Sequence, residues 1–173
     1  MVTPEHHHLI RVIDISQQNF TGPLDCSRFS QLETLICSQN SLTYLNVQDC
    51  SRLQRLECQQ NNLAELILPR DGGQLVYCDA SVNNLTSLLA GSGQFLKKLY
   101  LGSNRLTELT LPISLTHCHV KINNLADVSV FSPLINCEYL SLAHNSFTGS
   151  WEPLANLTKL KKLDLSGTGF TAG

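Results

Sequence analysis

One frame recurs about every 21 residues along this chain: apolar-x-x-apolar-x-apolar-x-x-Asn-x-apolar. Its copies start at Ile10, Leu32, Leu53, Leu75, Leu96, Leu115, Cys137 and Leu160. Asn40, Asn61, Asn83, Asn104, Asn123 and Asn145 fill the asparagine slot, while Gln18 and Thr168 replace it in the first and last copies. Eight frames with four apolar slots give 32 positions, and every one holds Leu, Ile, Val, Phe, Cys or Ala, in a chain that is only 42% apolar. A fixed period of this length means stacked structural repeats, each burying its neighbours. Such a stack offers a broad surface rather than a cleft.

The start of each frame alternates with period two, which predicts a short strand with one side buried and the other facing solvent. About ten residues separate one frame from the next, so the chain must travel around and re-enter parallel, one rung higher. The asparagine falls where the chain leaves the strand. Its amide both donates and accepts, so it can satisfy turn groups that water cannot reach. The returning segments Leu42-Thr-Tyr-Leu45-Asn-Val47, Leu63-Ala-Glu-Leu66-Ile-Leu68, Leu106-Thr-Glu-Leu109-Thr-Leu111 and Leu125-Ala-Asp-Val128-Ser-Val130 share one spacing. Their alternation favours extended backbone, and Pro69 and Pro112 would break a helix after two of them.

Period, spacing and asparagine together resemble leucine-rich repeat proteins over roughly residues 9 to 170. The resemblance implies an α/β-solenoid that is β-dominated: a right-handed horseshoe of about eight repeats, a parallel sheet on the concave face, and turns, extended pieces and 3-10 segments on the convex face, with little α-helix. Phe20-Thr-Gly-Pro-Leu24 and Phe147-Thr-Gly-Ser-Trp151 look like repeats of fungal and plant-type members, some of them attached to kinase domains. The middle repeats look more like short repeats of fungal and bacterial intracellular families. Both resemblances imply recognition or scaffolding.

Residues 1–9 read as a leader or partial cap and 10–173 as the repeat domain. Neither end shows a polar capping unit, which fits a fragment of a longer chain and leaves end-to-end association open. Net charge is −2 with 15% charged residues, so neither a nucleic-acid partner nor a membrane surface is expected. Five of the seven cysteines occupy leucine slots, Cys37, Cys58, Cys78, Cys118 and Cys137, and Cys26 and Cys50 lie on returning segments. They read as small buried hydrophobes. Their odd number favours a reducing, cytoplasmic setting over a secreted one from which a signal peptide has been removed. The sequons at Asn19, Asn84 and Asn156 are compatible with chance.

The solvent-facing third and fifth slots locate the candidate site. The third gives Val12, Thr34, Arg55, Tyr77, Lys98, His117, Tyr139 and Lys162, and the fifth gives Asp14, Ile36, Glu57, Asp79, Tyr100, His119, Ser141 and Asp164. With strands ~4.8 Å apart, these rows make a face ~34 Å long. Arg55, Tyr77, Asp79, Lys98, Tyr100, His117, His119 and Tyr139 form the expected contact patch for a protein or peptide, because tyrosine and arginine combine contact area with a polar tip. Metal is not expected: in His117-Cys118-His119 the thiol points inward and the imidazoles outward. Neither a cofactor nor an enzyme activity is expected, since no nucleophile elbow, metalloprotease helix motif or phosphate-binding glycine loop occurs. The function expected is non-catalytic recognition, standing alone or as part of a larger signalling or effector enzyme of the kinase-linked or ubiquitin-ligase-linked kind.

Overall fold

The computed structural model describes residues 7, 9–90 and 93–171. Most of the expected N-terminal leader, including His6 and His8, lies outside the described residues. Val12–Asp14, Thr34–Ile36, Arg55–Glu57, Tyr77–Asp79, Lys98–Tyr100, His117–His119, Tyr139–Ser141 and Lys162–Asp164 form one eight-stranded sheet in chain order. Every pairing in it is parallel and without register slip.

That register stacks the second apolar slot into one column. Leu35, Leu56, Cys78, Leu99, Cys118 and Leu140 lie directly over one another, each 0–1% exposed. Ile13 and Leu163 continue the column at its two ends and are only partly buried, because each has a neighbour on one side alone. All seven cysteines are buried, free thiols: the five in leucine slots and also Cys26 and Cys50 on the returning segments. Burial disfavours the thiolate, so Cys37 is pushed up to about 12 and the others also rise.

The asparagines bridge rungs rather than closing their own turn alone. Asn104 Nδ2 donates to Leu101 O in its own rung at 2.9 Å and to Ala80 O in the preceding rung at 3.0 Å. Its Oδ1 accepts the Leu85 N–H, again from the preceding rung, at 3.0 Å. Asn61, Asn83, Asn123 and Asn145 repeat this pattern. Asn40 does the same from a half-buried position. The substitutes behave differently. Gln18 Nε2 turns back to Ser16 O and Thr168 Oγ1 to Leu165 O, each within its own rung.

The residue before each asparagine adopts a left-handed conformation, with φ between 52° and 58° from Gln17 through His144. Two β-branched residues, Val82 and Ile122, are held there, where the side chain crowds the backbone. The last rung places Gly167 in that slot, and a Cβ there would overlap the His144 ring.

The convex side is discontinuous. Thr21–Asp25, Ser41–Asn46 and Glu65–Ile67 make a three-stranded sheet, Ser87–Leu89 pairs with Glu108–Thr110, and Thr148–Gly149 pairs with Gly169–Phe170. The fourth returning segment departs from the extended expectation. The Asp127 carboxylate accepts the Ser129 N–H at 2.8 Å, and this cap winds Val128–Phe131 into a 3-10 turn. Shared Phe-Thr-Gly triplets also have a backbone reason: Gly22 and Gly149 take φ of 77° and 78°.

Candidate functional site

The third and fifth slots project from the concave sheet as the alternation requires, flanking the buried column. Two aromatic groups result. Arg55 lies over the Tyr77 ring at 4.2 Å, Tyr77 meets Tyr100 at 5.6 Å, and Tyr100 meets His119 at 5.0 Å. These four residues come from four consecutive rungs. His117 stacks on Tyr139 at 4.6 Å. Tyr77, Tyr100, His117, His119 and Tyr139 are all half-buried, so their ring edges stay available. Lys98 is exposed beside His117.

Several polar members of the patch are already held. Arg55 pairs with Glu57 at 2.6 Å, which fixes its guanidinium over Tyr77. Asp79 Oδ1 accepts from Ser81 N at 3.0 Å and from Ser81 Oγ at 2.6 Å. The same Asp-x-Ser clasp holds Asp14 with Ser16 and Asp164 with Ser166. The clasp keeps the Asp14 and Asp164 carboxyls below the ordinary carboxylate value by bonding the charged form. The motif is visible in the sequence as Asp-Ile-Ser, Asp-Ala-Ser and Asp-Leu-Ser, and reading each slot separately hid it.

Both histidines favour the neutral form. Burial is the main cause for each, followed by Lys98 for His117 and by the neighbouring His117 for His119. Burial also pushes the Tyr77 phenol up to about 12, aided by Asp79 and Glu57.

Two residues depart from the slot reading. Ser141, expected to face solvent, is only 7% exposed, and its hydroxyl donates to Asp164 Oδ2 at 3.3 Å. Lys121, at the rim and outside the predicted patch, folds across Gly102, where an added Cβ would stand 3.3 Å from Lys121 Cγ. Gly102 beside a rim lysine was the one sequence cue to that placement. Asp79, His117 and Ser141 each have a different partner: Ser81, Thr116 with Tyr139, and Asp164. Among the described residues, no group of three His, Cys, Asp or Glu side chains is placed to hold a metal ion. No helix among them is long and apolar enough to cross a membrane.

No protein-family model and no curated protein matches the sequence. Solved structures do share its fold. A leucine-rich repeat protein of Leptospira interrogans is 23% identical with a TM-score of 0.75, over 98% of this chain and 46% of that one. The functional domain of InlJ from Listeria monocytogenes, described as including a cysteine ladder, is 25% identical with a TM-score of 0.65, over 94% and 43%. A plant peptide hormone receptor, RGFR1, in complex with RGF2, is 22% identical with a TM-score of 0.66, over 99% and 34%. The chain thus spans less than half the length of each of these three. By repeating frame, bridging asparagines and shared fold alike, the chain is a leucine-rich repeat solenoid.

Proposed function

We propose that the chain is a non-catalytic recognition module that binds a protein or peptide on its concave face. The observation that carries this reading is the unbroken run Arg55–Tyr77–Tyr100–His119 across four rungs, with the His117–Tyr139 stack beside it. Asp79 and Lys98 complete the patch. Stacked rings lose little side-chain freedom on binding and carry polar tips, which suits them as anchors. Affinity capture with the wild type and with the Tyr100→Ala, Tyr139→Ala double variant tests it. A retained protein should lose about 2 kcal/mol of affinity or more to the variant. Equal affinity for both would remove the patch.

A second reading makes the module the recognition part of a larger kinase-linked or ubiquitin-ligase-linked enzyme. The fold shared with a peptide hormone receptor and the Phe-Thr-Gly repeats favour it. A catalytic segment encoded beside these repeats would decide for it. We assign the chain to the reducing cytoplasm, supported by seven buried free thiols, and fractionation of cells is the test. End-to-end stacking of two copies in sheet register is disfavoured. It would set Lys161 beside Arg11 and Asp164 beside Asp14, like charge against like in both rows.

A further inference from the structure

The C-terminal half of the concave face holds a cavity of about 210 Å³ where the aromatic run ends. Its walls are His119, Lys121, Tyr139, Lys162 and Asp164, and Ser141 lies at its floor. Four ion pairs are present among the described residues, and neither Lys121 nor Lys162 takes part in any of them. Lys121 is laid along the face by its packing over Gly102. The one acid in the cavity is occupied: Asp164 accepts from Ser166 N at 3.1 Å, Ser166 Oγ at 2.8 Å and Ser141 Oγ at 3.3 Å. Two lysines and one carboxylate thus line the cavity, an excess of one positive charge. His119 lies among the same charges: after burial and His117, Lys121 and Lys162 disfavour its protonation, and Asp164 opposes them.

We propose that this cavity is a carboxylate subsite, taking the side chain of an Asp or Glu from the protein or peptide bound on the concave face. The proposal rests on the recognition reading above and adds the partner's chemistry and orientation. A monoanion matches the single excess charge. A phosphate dianion would leave its second charge facing Asp164. Lys121 and Lys162 would each donate a charge-assisted hydrogen bond, and the Ser141 hydroxyl can rotate to add a third. The acid is expected to enter at this end, because three carboxylates, Asp14, Glu57 and Asp79, line the other half of the face and Asp164 alone lines the cavity.

The test is an amide-resolved NMR titration of the free protein with benzoate, alongside neutral benzamide and dianionic phenyl phosphate. Benzoate is expected to shift the Lys121, Ser141 and Lys162 resonances saturably, with benzamide leaving them in place and phenyl phosphate binding more weakly. The Lys121→Gln, Lys162→Gln double variant removes no ion pair and should bind benzoate at least about tenfold more weakly. Benzamide acting like benzoate, or a variant as responsive as the wild type, would overturn the subsite. Tighter binding of phenyl phosphate would overturn its assignment to a carboxylate. The titration needs no protein partner, so a face that fails to capture one could still pass it, and a face that captures one could still fail it.

Discussion

The middle rungs and the two end rungs carry the same frame and reach different degrees of order. Leu99 is 0% exposed between Cys78 and Cys118, whereas Leu163, in the equivalent slot, packs on Leu140 alone and stays half-buried. The Asn83 and Asn104 side chains tie their rungs to the preceding ones, whereas the Gln18 and Thr168 side chains bond only within their own. A repeat's contribution is therefore a property of its neighbours as much as of its own residues, as expected for a one-dimensional core.

Core truncation should show the contrast most strongly. Leu99→Ala is expected to cost about 2–5 kcal/mol and Leu163→Ala roughly 1 kcal/mol, read from urea midpoints, since only the first leaves an enclosed cavity. Equal losses would mean the rungs do not depend on two-sided packing. Next comes the ladder. Asn83→Leu should cost on the order of 1–3 kcal/mol, because it leaves the Leu63 N–H without an acceptor and removes one of the two amide donors to each of the Cys58 and Ala80 carbonyls. Gln18→Ala should cost no more than about 0.5 kcal/mol, because Ser16 O lies at the wet end of the stack. The left-handed row gives a smaller effect of opposite sign. Ile122→Gly should raise stability by up to about 1 kcal/mol and move the urea midpoint up, the relief of crowding exceeding the entropy glycine loses. Gly167→Ala should lower it, because His144 fills the space.

The smallest effect is a pH dependence. His117 and His119 are held below their ordinary value of 6.5, so the folded chain resists protons that the unfolded chain accepts. Above pH 6.5 both forms are neutral and nothing changes. Stability is then lost as pH falls from 6.5 through the lower folded values, and the loss levels off beneath them. Urea midpoints at pH 7.5 and 5.5 should differ in that direction, and His117→Gln with His119→Gln should shrink the difference. Any dependence of partner binding on these imidazoles belongs below pH 6.5, not centred on it.

The rungs, their register and the ladder could be read from the sequence because period and chemistry agree at the same positions. Leu56, Cys78, Leu99 and Cys118 align from spacing alone. The details of the face could not, because they depend on contacts between rungs that a slot-by-slot reading treats as independent. Ser141 is drawn under Asp164 of the following rung, and Lys121 lies flat only because Gly102 of the preceding rung has no side chain. The 3-10 turn at Val128–Phe131 was equally hidden: the Asp-x-Ser spacing that caps it at Asp127 also occurs at Asp14, Asp79 and Asp164, where no 3-10 turn follows.

Native-state hydrogen exchange at the Leu85 amide tests the bridging of rungs most directly, since its N–H is donated to Asn104 Oδ1 of the next rung. The account predicts protection close to that of Leu99 in the central strand, lost selectively in Asn104→Ala while Leu99 stays slow. Rapid exchange at Leu85 in the wild type, or protection that survives the substitution, would contradict it.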